Sequence, residues 1–249
     1  MKPFLLALQF LTAITLKSDL RADARDLARS AAFFPLVGLV IGIILAACWY
    51  FSLKLWPPIV ADVLVVLVLV AVTRAFHLDG LADTLDGVLG GSSRARALEI
   101  MKDTRLGAFG VMGIVFDLLL KFVVLTSIPP YMKLQALVLF PVISRYSIVQ
   151  LAWRTPSARE KEGLGAHFQE LIQFHYLAAA FLTGFIVSFG LLKTNGLICL
   201  GVIVAATLGY RALFQWKLGG VTGDVFGFVN ECNEILFLLT FSALVKYIV

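Results

Sequence analysis

Apolar residues run in long blocks along this chain, with polar residues gathered between them. Stretches dominated by Leu, Val, Ile, Ala and Phe fall at about 31–53, 59–76, 111–128, 134–153, 176–192, 196–214 and 235–249. Each approaches the ~20 residues that a helix needs to cross a bilayer, and the last is somewhat short. Inside lipid the backbone must satisfy its own polar groups, so blocks of this kind specify helices. The pattern predicts an all-α polytopic transmembrane bundle of about seven spans, forming one integral-membrane domain over 1–249. A shorter apolar run at 4–16 follows Lys2 and has no small-residue cleavage site behind it. It reads as a retained segment, interfacial or partly inserted.

The polar connections alternate in length. Those at 54–58, 129–133 and 193–195 are short. Those at 17–30, 77–110, 154–175 and 215–234 are long and carry most of the 21 Lys and Arg residues. Only Lys54, Lys133, Lys193 and Lys246 fall on the short-loop side. The positive-inside rule then puts the long loops in the cytoplasm of a prokaryotic cell membrane. The segments 77–110 and 215–234 become the expected cytoplasmic active-site loops, below a polar site that faces the cytoplasm.

Composition agrees. The 249-residue chain is 60% hydrophobic, only 15% charged, and has a mean hydropathy of +0.92. Its net charge of +5 is spread over several loops without a dense basic patch, which argues against a nucleic-acid partner and for the lipid bilayer. Cys48, Cys199 and Cys232 form no CxxC pair and read as small buried hydrophobes. Oligomeric state is left open, a homo-oligomer included.

Chemistry concentrates in the long loops. His77-Leu-Asp79-Gly-Leu-Ala-Asp83-Thr-Leu-Asp86-Gly87 places three carboxylates within eight residues. On a helix Asp83 lies about 40° from Asp79, and Asp86 about 20° to the other side, so all three share a face. Like charges this close repel unless a cation sits among them. Oxygen donors at this density suit Mg2+ or Mn2+ better than Zn2+, which suggests metal-assisted phosphoryl transfer at a membrane surface. Gly80 and Gly87 would let a phosphate approach the backbone. His77 is a candidate base or a support for the acids, or simply an interfacial histidine.

Two further segments could share the work. In Leu98-Glu99-Ile-Met-Lys102-Asp103-Thr-Arg105-Leu-Gly107, Glu99 and Asp103 stand i,i+4 and could complete a metal shell, or merely form ordinary helical pairs. Lys102 and Arg105 could hold diphosphate oxygens, and Gly107 and Gly110 would lead into the next span. In Gly219-Gly220-Val-Thr222-Gly223-Asp224, followed by Asn230, Glu231 and Glu234, the glycine-rich run reads as a phosphate-approach loop or as a turn with an N-cap. Arg145 is either a snorkelling cation or a ligand for an anion. Asp117 and Lys121, i,i+4 inside a span, would neutralise each other, and Asp62 would be interfacial. Glu162-Gly-Leu-Gly165 with His167 is a candidate substrate loop.

Taken together, these motifs resemble the cobalamin synthase family, the adenosylcobinamide-GDP ribazoletransferases also called cobalamin-5′-phosphate synthases. The likeness covers nearly the whole chain and extends to Phe34-Pro35-Leu-Val-Gly38 and Glu162-Gly-Leu-Gly165. The resemblance implies a transferase joining adenosylcobinamide-GDP to α-ribazole, or to α-ribazole 5′-phosphate, with release of GMP and Mg2+ as cofactor. It also implies residue roles. Asp79, Asp83 and Asp86, with Glu99 or Asp103, would hold metal. An aspartate or His77 would act as base, and Lys102 and Arg105 would steady the leaving GMP. Asp224, Glu231 and Glu234 would complete the metal site or orient the ribazole, with Arg145, Gly220, Thr222 and Gly223 near the substrate. A CDP-alcohol-type phosphotransferase is the nearest rival, but its DG-x-x-A-R opening is not matched, since no arginine follows Ala82. An ion-coupled transporter would need ionisable groups near mid-bilayer and broken helices.

Overall fold

The computed structural model describes residues 2–16, 23–159 and 169–246. Its helices are α1 (Lys2–Leu11), α2 (Ala24–Ser30), α3 (Phe34–Ser52), α4 (Pro58–Thr73), α5 (Phe76–Gly90), α6 (Arg94–Ile100), α7 (Ala108–Ser127), α8 (Pro130–Ala152), α9 (Phe174–Leu218) and α10 (Gly223–Lys246). A 3-10 turn at Ala31–Phe33 fuses α2 to α3. Among the described residues there is no strand, only an isolated parallel bridge between Ser157 and Val221. The loop expected at 162–167 lies outside the described residues.

The helices begin where local chemistry allows. Pro58 and Pro130 open α4 and α8, where a missing N–H costs nothing and the fixed φ suits the first turn. Asp23 caps α2 through Asp26 N, and Ser93 caps α6 through Arg96 N. Helix α9 runs 45 residues but breaks at Lys193, whose φ of 51° and ψ of −131° are not helical. A Cβ on Gly196 would overlap the Ser188 carbonyl. In a straight helix residues eight apart stand about 12 Å apart, so the chain turns back on itself here. This is the short connection expected at 193–195.

Among the described residues, five helical units are long and apolar enough to span: Ala24–Ser52, α7, α8, α9 and α10. A sixth arises only if α4 and α5, bent by 87°, count as one. The expected count of seven is not established by this tally. The polytopic helical membrane architecture is. Its lipid-facing sides are marked by exposed Val111, Val115, Phe116 and Leu119 on α7, and by Phe181, Phe185 and Phe189 on α9. The main core joins α1, α3, α4 and α7 to α10 around Phe34, Ile41, Leu45, Phe140, Phe237 and Phe241. A second cluster, including Met101, Ala158, Phe214, Leu218, Val221 and Val225, pins α6 and the 154–159 loop to the start of α10.

The consequential departure from expectation lies at Arg74 and Ala75. Both adopt left-handed φ values, 54° and 55°. For L-residues that conformation costs about 1–2 kcal/mol each, so the surrounding packing must hold it. The corner ends α4 early and redirects the chain, so the aspartate motif forms helix α5 rather than a loop. Likewise α10 starts at Gly223, and the acids expected in the 215–234 loop enter the bundle instead.

Candidate active site

Helix α5 packs against α10 backbone to backbone. A Cβ on Gly80 would lie 2.7 Å from the Asp224 carbonyl oxygen, and one on Gly227 would lie 2.8 Å from that of His77. Gly80 thus admits a neighbouring helix, not a phosphate as its place in the motif suggested. Gly87 is similarly filled, by Met101 and Ala97. The crossing brings Asp224, at the start of α10, to the face of α5 that carries Asp79 and Asp83. The Asp83 carboxylate is repelled by Asp79, Asp224 and Asp86, with Arg159 as its attractive neighbour. Asp79 is exposed, and Asp83 and Asp224 are half-buried.

Cations stand next to these acids. Arg159 donates to Asp224 at 2.7 Å and to the Met101 carbonyl at 3.2 Å. It also lines a cavity of about 680 Å3 together with Arg94, Leu98, Glu99 and Lys102. Three cations against one acid give that cavity a net positive lining. Spacing alone could not find Arg159 or Arg94. Both read as ordinary loop charge, and Arg159 is 65 residues from its partner. Lys102, expected to bind phosphate oxygens, does face this cavity.

Other expected site residues are placed elsewhere. Asp86 is buried, and its oxygens accept backbone N–H bonds from Gly107 at 2.7 Å and Gly110 at 2.8 Å. It closes the exposed N-terminus of α7, a favourable seat for a carboxylate. Glu99 pairs with Arg96 at 2.8 Å on the surface of α6. Helix α6 stops at Ile100, so Asp103 lies in a turn and not i,i+4 along a helix. There Arg105 donates to both Asp103 oxygens, which holds that carboxyl down to about 2. Arg105 does not line the cationic cavity.

The glycine-rich run is a turn and a cap. Gly219, at φ 72°, ends α9, and a Cβ on Gly220 would overlap the Pro156 carbonyl. Thr222 is buried and accepts from Val225 N at 3.3 Å, the N-cap of α10. Thr222 also donates to Asp224 at 3.2 Å. Only Gly223, with open space around it, keeps room for close approach.

Glu231, Glu234 and Arg145 are buried inside the bundle. Lys121 contacts Asp117 at 2.9 Å and Glu234 at 2.8 Å, and also Glu231. Arg145 pairs with Glu234 and donates to Ser144 at 2.9 Å. Asn230 donates to Glu231 at 3.0 Å and to Glu234 at 3.2 Å. His77 faces this network, its Nδ1 4.0 Å from Glu231 and without a hydrogen bond. The expected Asp117–Lys121 pair is present but is one edge of a larger cluster. Asp62, expected at the interface, is instead buried with Lys133 at 3.0 Å and Trp49 at 3.0 Å.

Among the described residues no group of three or more His, Cys, Asp or Glu side chains is arranged to hold an ion. The shell of Asp79, Asp83, Asp86, Glu99, Asp103, Asp224 and Glu231 is therefore not assembled. Asp79, Asp83 and Asp224 remain as neighbours. They are hard oxygen donors of one charge with Arg159 as compensation, a set whose chemistry fits Mg2+.

Fold and site together define a helical membrane enzyme that sets carboxylates beside a cationic cavity. Residues 3–242 match the model of the cobalamin-5-phosphate synthase family. The chain belongs to that family. It is 42% identical to an adenosylcobinamide-GDP ribazoletransferase of Geotalea daltonii over 97% of both chains. It is 40% identical to one of Syntrophobacter fumaroxidans over 93% of this chain and 94% of that one, and 35% identical to one of Acetivibrio thermocellus over 97% of both. No solved structure matches the chain.

Proposed function

We propose that this protein transfers the phosphocobinamide group of adenosylcobinamide-GDP to α-ribazole or its 5′-phosphate, releasing GMP, with Mg2+ as cofactor and the site facing the cytoplasm. The observation that carries the reading is the 2.7 Å contact of Arg159 with Asp224, which joins an acidic patch to a cavity built for anions. A diphosphate carries charge that both halves can engage.

One or two of Asp79, Asp83 and Asp224, together with oxygens of the diphosphate, would hold the divalent ion. When bound, it neutralises charge on the diphosphate as the phosphoanhydride breaks. Arg159, Lys102 and Arg94 hold the phosphate oxygens of the departing nucleotide. The ribose hydroxyl of the acceptor attacks the phosphorus attached to cobinamide. Its proton passes to a carboxylate of the acidic patch, and the bond to GMP breaks. Asp86 orders the start of α7, and the Lys121 network ties α7 and α8 to α10.

The test is GMP release from adenosylcobinamide-GDP by purified protein in detergent, with and without α-ribazole and Mg2+. Ribazole-dependent, Mg2+-dependent release supports the reading, and its absence overturns it.

A further inference from the structure

A second cavity, of about 490 Å3, opens where α1 meets the α4–α5 corner, lined by Gln9, Phe10, Thr12, Arg74, Phe76 and Asp79. Resting on the function proposed above, we propose that it is the subsite for the acceptor nucleoside, whose flat base lies against Phe10 and Phe76 while its ribose meets Asp79.

The placement follows from the geometry of displacement at phosphorus. Attacking and leaving oxygens stand roughly in line, so acceptor and leaving nucleotide must approach from opposite sides. The two cavities lie toward opposite ends of α5. Phe76 and Asp79, at its start, wall the new one. The cationic cavity is walled by α6, which packs on Gly87 and Gly91 at the end of α5. Asp79 to Gly87 is eight residues, about 12 Å of helix. Asp83 stands between them, where the transferred phosphorus belongs.

The lining suits a base better than it suits lipid. Phe10 stacks on Phe34 at 5.9 Å and meets Phe76 edge-on at 5.6 Å, so its ring is braced. Phe10 and Phe76 are still 42% and 47% exposed, which leaves aromatic surface for a planar ligand. The Thr12 hydroxyl donates to the Leu8 carbonyl and accepts from the Ile14 N–H. The polar part of the wall is therefore the Asp79 carboxylate, which disfavours an acyl chain. The volume is in the range of small-molecule sites.

The experiment compares the full-length wild type with Phe10→Leu, which keeps α1 packed but removes the ring, and with Phe10→Tyr, which restores it. KM for α-ribazole and for adenosylcobinamide-GDP is measured by GMP release, and α-ribazole affinity by titration calorimetry without donor. Loss of one stacked aromatic weakens base binding about tenfold. The proposal expects that loss in ribazole KM and Kd for Phe10→Leu, recovery in Phe10→Tyr, and an unchanged donor KM. An unchanged ribazole KM, or an equal rise in both KM values, overturns it. If the wild type turns over while Phe10→Leu binds ribazole normally, only the subsite falls. If the wild type shows no ribazole-dependent release, both the reaction and the subsite fall.

Discussion

Asp86 and Gly110, 24 residues apart in sequence, are joined by a 2.8 Å hydrogen bond from the Gly110 N–H to the aspartate. With the matching bond from Gly107, it ties the end of the aspartate motif to the first turn of α7. The third acid of the motif therefore has a structural task distinct from that of the first two.

Asp86→Asn keeps the size but removes the charge and one of the two acceptors. It should lower the apparent melting temperature in detergent by the equivalent of about 1–2 kcal/mol. Whatever active protein survives should keep the wild-type Mg2+ dependence. A Mg2+ requirement shifted tenfold or more would put Asp86 back among the metal ligands.

Asp83→Asn should reduce turnover at least a hundredfold without lowering the melting temperature, because it removes repulsion from a crowded acidic patch. Asp224→Asn should reduce turnover as far and also lower the melting temperature, because it breaks the 2.7 Å ion pair with Arg159. The comparison of GMP release and thermal unfolding on the same preparations decides it. Near-normal turnover in either variant would remove that residue from the site.

Arg159→Gln should raise KM for adenosylcobinamide-GDP by about tenfold or more, the worth of one charge-assisted contact. KM for α-ribazole should hold. Arg159→Lys should recover part of the loss. Steady-state kinetics with each substrate varied in turn separates these outcomes.

The buried network contains three acids, Asp117, Glu231 and Glu234, against Lys121 and Arg145. Removing a cation leaves acids unpaired in a dry interior, whereas removing one acid moves the cluster toward balance. Lys121→Met should therefore cost about 3–5 kcal/mol and lower the yield of folded protein sharply. Asp117→Asn should cost much less. Melting curves and size-exclusion profiles of the two variants would refute the argument if the order were reversed.

Ala75 occupies the left-handed region without a glycine's freedom. Ala75→Gly should hold or raise the melting temperature. Ala75→Val, whose β-branch clashes there, should lower it by the equivalent of about 1–2 kcal/mol. Equal effects of both would mean that the corner is not under strain.

Much of this was readable in the sequence, because spans announce themselves by length and hydropathy alone. The break near 193–195 was visible as a polar interruption, and Asp79 with Asp83 follows directly from helical periodicity. The corner at Arg74 and Ala75 was not, since neither residue signals a left-handed turn, and the apolar run continues to Phe76. That one corner turned an expected loop into α5. Gly80 and Gly227 face each other across 147 positions of sequence, so their packing role has no local signature. In the sequence Glu231 and Glu234 look like loop acids because charge ordinarily marks a span's end, whereas here Lys121 compensates them within it. Arg159 came to the site through the bridge between Ser157 and Val221, a long-range pairing that spacing does not encode.

The Arg74–Ala75 corner also bears on how the protein meets membranes of different thickness. A bilayer that thickens or thins is accommodated by helix tilt. No continuous helix carries the tilt of α4 into α5, because the axis bends by 87° between them. The corner is a fixed break, and α5 stays registered on α10 through Gly80 and Gly227. The geometry of the acids is thus set by the contact of α5 with α10, and not by the tilt of α4 as it would be in a single uninterrupted span through Asp79 and Asp83.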